Sequence, residues 1–127
     1  MFKKVHRSDK APAPIGPYSQ AIEVDGLVFC SGQIALDAKS GEVIKGDVAA
    51  QTHKVMENIE AVLKSAEMSF SNVVKTTIYL TSMSDFATVN EIYATKFDSA
   101  PPARSTVAVA GLPKGVQVEI EVIAKRL

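Results

Sequence analysis

PPARSTVAVAGLPKGVQVEIE, residues 101–121, reads as a stop, a strand, a tight turn and a second strand. Pro101 and Pro102 have no N–H to continue a helix, and they hold the chain extended as it enters the strand. A strand is expected over 103–110, a turn over 112–115 and a last strand over 116–124. The last strand alternates cleanly: Val118, Ile120 and Val122 point one way, and Gln117, Glu119 and Glu121 the other. One face of the sheet therefore meets a core, and the other carries carboxylates. Arg104, held stiffly at a strand entrance, presents a planar fork that suits a carboxylate or phosphate. Glu119 is an acid, base or water-holding group in the same segment. From these residues alone a cross-strand ion pair is the commoner outcome, and both readings stay open.

Upstream, the elements order themselves by period and punctuation. Residues 8–17, SDKAPAPIGP, form an ordered loop. Strands are expected over 18–24 and 27–35, joined by Asp25 and Gly26, a favoured hairpin pair. The second of these is apolar on both faces, which predicts cover on both sides, and Gly32 within it marks a bulge or a close approach. Asp47 caps a helix to about residue 66, with Val48, Thr52, Val55, Met56, Ile59, Val62, Leu63 and Ala66 as one stripe. Residues 72–81 read as a strand. Ser84 is the expected cap of a second helix over 85–97, striped by Phe86, Val89, Ile92, Tyr93 and Phe97, with Asn90 toward the flank.

The order hairpin, helix, strand, helix, strand, strand is that of an α+β layer fold in one domain, residues 1–127. Two helices cover one face of such a sheet and leave the other to solvent or to other subunits. The simplest pairing of the last two strands is a direct hairpin.

Fourteen basic and fourteen acidic residues leave no net charge, so nothing in the charge balance points to nucleic acid. No apolar run reaches the length of a membrane span, and the N-terminus lacks a secretory h-region. A cytoplasmic location is expected. Cys30, the single cysteine, sits in an apolar run and reads as a small buried hydrophobe. His6 and His53 have no partner at ligand spacing, and no metal or cofactor motif is seen.

Four blocks in order carry a resemblance: IGPYSQA at 15–21, CSGQI at 30–34, DFATVNEIY at 85–93, and Pro102, Ala103, Arg104 and Ser105 with Val118, Glu119 and Ile120. Together they resemble the Rid family, the YjgF-type reactive intermediate deaminases, over nearly the whole chain. The resemblance implies a chorismate-mutase-like mixed sheet with two helices on one face. There the final strand lies antiparallel between earlier strands, in place of the hairpin. It also implies a homotrimer with active sites in the clefts between subunits. The activity implied is hydrolysis of 2-iminobutanoate and 2-iminopropanoate to 2-keto acids and ammonia, without a cofactor.

Carried over by position, Arg104 resembles the carboxylate clamp, and Glu119 the group that holds or activates water. Tyr18, Ser31 and Gly32 resemble pocket residues, and Asn90 a polar wall near an interface. Thr106 matches a position whose main chain lines the pocket and where several members have cysteine. Two other classes remain: a binder of small carboxylates without turnover, and a ribonuclease or translation inhibitor.

Overall fold

The computed structural model describes residues 2–127 and contains a six-stranded mixed sheet with two α-helices. The strands are β1 (Lys4–His6), β2 (Ala21–Val24), β3 (Leu27–Gln33), β4 (Val73–Leu80), β5 (Ala103–Ala108) and β6 (Val118–Lys125), and the helices are α1 (Val48–Ser65) and α2 (Phe86–Ala94). Their order across the sheet is β1-β2-β3-β6-β4-β5. β6 pairs antiparallel with both β3 and β4, and β5 is an edge strand parallel to β4. The direct hairpin of the last two strands does not form. The central position of β6 is the one the resemblance implies. Its alternating valines and isoleucines explain that place, because Val118, Ile120, Val122 and Ala124 are all buried.

α1 lies on this apolar face against β3, β6 and α2. Its stripe is buried as expected, from Val48 through Val55, Met56, Ile59, Val62 and Leu63. Asp47 caps it, with Oδ1 accepting from the Ala50 amide at 3.0 Å. Ile59, Leu63, Ile78, Leu80 and Ile120 are among the largest fully buried side chains. Truncating one of these to alanine costs about 2–5 kcal/mol.

Asp25 and Gly26 make the expected tight turn, at φ 53° and 78°, between β2 and β3. Gln20 fixes the preceding loop. Its Nε2 donates to the carbonyls of Ser8, Ala11 and Pro12, and its Oε1 accepts from the Ser8 amide at 2.6 Å.

One element is new and two expectations are corrected. Strand β1 has no counterpart in the sequence reading; it is only three residues long and is pinned by His6, whose Nε2 lies 2.7 Å from Glu23 Oε1 on β2. Ser82, not Ser84, supplies the cap ahead of α2: its side chain accepts from the Ser84 amide, and a 3₁₀ turn over Met83–Asp85 leads into the helix. Cover on both faces of β3 is also absent within one chain. Val28 and Cys30 are buried against the core, whereas Phe29 on the other face is 45% exposed. Among the described residues no helix is long and apolar enough to cross a membrane.

Candidate active site

Strand pairing divides the candidate residues between the two faces of the sheet. Thr76 on β4 lies opposite both Val122 on β6 and Arg104 on β5, and Thr76 and Val122 are buried on the helix side. Arg104 and, two residues on, Thr106 therefore face the helices. Tyr79 pairs with Glu119, an odd step from Thr76, so Glu119 faces away from them. Two strands over and three residues along puts the Arg104 and Glu119 backbones about 14 Å apart. Within one chain, then, the two residues do not meet.

On the open face, Glu119 lines a cavity of about 480 Å³ with Tyr18, Ser31, Gly32, Ile34, Lys114 and others. Gly32 is there for a physical reason. A Cβ on it would collide with Glu119 Oε2 and stand 2.9 Å from its Cδ. The β3–β6 register also shifts between Cys30 and Gln33, so the bulge and the close approach expected of this glycine are both present. Ser31 Oγ donates to the Ser19 carbonyl at 2.6 Å, and its amide donates to the Gln20 carbonyl. That role is structural, and it ties β3 to the loop that carries Tyr18. Tyr18 itself is 52% exposed, with its hydroxyl accepting from the Ile15 amide.

The two carboxylates of β6 are unequal. Glu121 accepts a hydrogen bond from the Tyr79 hydroxyl. Glu119 has no side-chain hydrogen bond among the described residues. It is half-buried, and burial first, then the neighbouring Glu121 charge, raises its pKa above the ordinary glutamate value. An unpaired carboxylate with a raised pKa, in a cavity, is equipped to hold or deprotonate a water.

On the other face, Arg104 lies at the exposed edge strand beside α2. Its Nη1 donates to Asn90 Oδ1 at 2.6 Å, and its guanidinium carbon is 5.1 Å from the centre of the Tyr93 ring and 5.5 Å from that of Phe86. A second cavity of about 500 Å³ opens there, lined by Asn90, Tyr93, Phe97, Pro101, Pro102 and Arg104 among others. The prolines thus do more than stop a helix: they form a wall beside the guanidinium. The Thr106 Oγ1 atom is buried without a hydrogen-bond partner among the described residues.

Sequence reasoning did not assign Lys114 or Tyr93 to these cavities. Lys114 reaches the Glu119 cavity from a turn where it holds φ 57°, which its place just before Gly115 hinted at. Tyr93 belongs to the core by its period on α2, and it is also the ring under Arg104. Among the described residues no group of three or more His, Cys, Asp or Glu side chains is placed to hold a metal ion. Cys30 is buried, and burial pushes its thiol pKa up to about 12, which leaves it protonated and unreactive at neutral pH.

The family described as Endoribonuclease L-PSP matches residues 8–126 of this chain. Protein DfrA of Myxococcus xanthus is 53% identical over 126 residues, 98% of this chain and 96% of that protein. The 2-iminobutanoate/2-iminopropanoate deaminase of Mus musculus is 49% identical over 124 residues, 98% of this chain and 92% of its own. Among solved structures, a protein of the conserved Rid family from Yersinia pestis superposes with a TM-score of 0.95 at 46% identity, covering 98% of this chain and 99% of that one.

Proposed function

We infer the function from one premise: the chain belongs to the endoribonuclease L-PSP family, the Rid proteins among it. The activity we propose is hydrolysis of small 2-imino acids, such as 2-iminobutanoate and 2-iminopropanoate, to 2-keto acids and ammonia. The mouse relative carries the name of that activity. The single observation that carries the proposal is Glu119, a half-buried carboxylate with no side-chain partner among the described residues, seated in a cavity over a glycine that makes room for it.

The chemistry asks little of the protein. The substrate's carboxylate is gripped by the free donors of Arg104, as two parallel charge-assisted hydrogen bonds. Glu119 holds a water against the imine carbon and takes its proton as the oxygen bonds to that carbon. The C=N π pair moves onto nitrogen, which takes back the borrowed proton; Glu119 then passes the new hydroxyl's proton to nitrogen as the carbon–nitrogen bond breaks, the carbonyl forms and ammonia leaves. No electrons are exchanged. Holding the imine carbon and the water together converts a bimolecular encounter into an effectively unimolecular step.

In this reading the two halves of the site come from different copies of the chain. Arg104 and Asn90 of one copy face Glu119, Tyr18, Ser31 and Gly32 of the next, across a cleft in a closed homotrimer. Two things support it. The clamp and the acid lie on opposite faces within a chain, and the open face carries the exposed Phe29 and Val107, at 45% and 42%. Burial of that face in an oligomer supplies the second cover expected for β3. A carboxylate binder without turnover would need Arg104 but not a free Glu119, and Glu119 favours the enzyme.

The test is a coupled assay in which threonine dehydratase generates 2-iminobutanoate in the presence of semicarbazide, which traps free imine. The protein is expected to lower semicarbazone formation, and Arg104→Ala to lose most of that effect. Undiminished semicarbazone with folded wild-type protein would contradict the proposed activity.

A further inference from the structure

We propose that Asn90 and Tyr93 are positioning residues that set the plane and free edge of the Arg104 guanidinium, and that Thr76 holds Tyr93 in place to do so. The proposal rests on the reading of Arg104 as a carboxylate clamp and adds what makes that clamp work. Phe86, Asn90 and Tyr93 lie four and three residues apart on α2, so they share one helix face. All three converge on one side chain: the two rings lie 5.5 and 5.1 Å from the guanidinium carbon, and Asn90 Oδ1 is 2.6 Å from Nη1.

Tyr93 is not free to move. Its hydroxyl lies 2.7 Å from Thr76 Oγ1, and both residues are buried. Phe97 packs on its ring at 4.8 Å and in turn meets Phe70 edge-on at 5.6 Å. Thr76 is the register partner of Arg104 across the β4–β5 pair. The strand pair that carries the arginine therefore also anchors the ring the guanidinium rests on, a closed chain of contacts from β5 through α2 to β4.

The identity of residue 90 is informative. A guanidinium has five N–H donors, and Asn90 engages Nη1 alone, leaving Nε and Nη2 as a parallel pair for a carboxylate. Asparagine accepts without bringing a charge. An aspartate at the same place would hold Arg104 more tightly and neutralise it, occupying the fork that the ligand needs. A contact present only for stability would favour that change, and a contact that positions a clamp is harmed by it.

Calorimetric titration of the intact protein with 2-oxobutanoate, the product keto acid, separates these outcomes. Asn90→Asp is expected to weaken binding about a hundredfold by placing a competing charge on the fork, with a melting temperature equal to or above that of wild type. Asn90→Ala should weaken binding about tenfold by losing one charge-assisted hydrogen bond. Tyr93→Phe, which keeps the ring but releases it from Thr76, should weaken it about threefold. Wild-type affinity in Asn90→Asp, or an Ala variant weaker than the Asp variant, would overturn the role of Asn90, and wild-type affinity in Tyr93→Phe that of Tyr93. Wild-type protein that ignores the keto acid, or binds it equally well after Arg104→Ala, would remove the clamp itself and this inference with it.

Discussion

Two arginine–glutamate pairings in this fold are built in opposite ways. At one end of the sheet Arg126 and Glu23 satisfy each other. Arg126 Nε and Nη2 donate to the two Glu23 oxygens at 3.0 and 2.8 Å, Nη2 also donates to the Ala66 carbonyl, and His6 takes the remaining direction. The Arg126 contacts first, then His6, hold the Glu23 pKa down at about 2. Toward the other end, Arg104 and Glu119 lie on opposite faces, among the described residues the Arg104 side chain has a single hydrogen bond and that of Glu119 none, and the Glu119 pKa is raised. The same residue types thus make a latch in one place and two unmatched halves in the other. Polar groups left unmatched at cavities are what a binding site requires, and matched ones are what a fold requires.

The sharpest way to break this contrast is to neutralise each glutamate. Glu119→Gln should lower imine turnover by about 10²- to 10⁴-fold, the range of a lost general base, as measured by semicarbazone trapping. The same variant should be more stable than wild type at neutral pH. A raised pKa means that the folded state binds the proton more tightly than the unfolded chain. Wild type is therefore relatively favoured in acid and loses that advantage as pH rises through the raised value. Thermal melts from pH 4 upward check this, and the gap between the two proteins should widen with pH. Turnover by wild type should fall on its acid side at a pH above 4.5, the ordinary glutamate value.

Arg104→Ala should cost about 2–5 kcal/mol of transition-state binding by leaving the substrate's carboxylate unpaired. At about 1.4 kcal/mol per tenfold, that is roughly thirtyfold to several thousandfold in turnover. Arg104→Lys should also be badly impaired, because a point charge does not reproduce the fork. Gly32→Ala drives the Glu119 carboxylate aside and should slow turnover about a hundredfold, as expected for a displacement on the scale of 1 Å, with the fold retained in circular dichroism.

At the latch the signs reverse. Glu23→Gln should leave turnover unchanged and lower the melting temperature at neutral pH. The depressed Glu23 pKa gives wild type a stability present above the ordinary value of 4.5 and lost as pH falls toward 2, so the two proteins should converge in acid.

Much of this arrangement is legible in the sequence, and what is hidden is non-local. The alternation of Val118, Ile120 and Val122 fixes which way Glu119 points, and the α1 stripe fixes the face that is covered, because both follow from local periodicity. Gly32 announces the close approach but not its partner, which comes from β6, far along the chain. Whether β6 pairs with β5 or inserts between β3 and β4 depends on contacts that no local pattern encodes, and here the family resemblance supplied the answer. The three residues of β1 are too few to show a period, and their place comes from the His6–Glu23 contact. Ser82 and Ser84 are equivalent caps by composition, and the 3₁₀ turn at Met83–Asp85 decides between them. Most consequential, the opposite facing of Arg104 and Glu119 emerges only from the register through β4.

That opposition leads to the most direct test: mixed oligomers of Arg104→Ala and Glu119→Ala chains, each strongly impaired alone. If clamp and acid come from neighbouring copies, random equal mixing pairs an intact Arg104 with an intact Glu119 at about one cleft in four in a closed ring. Turnover should therefore return to about a quarter of wild type. Mixed oligomers that form, verified by mass, yet stay as impaired as either variant alone would contradict a site shared between two chains.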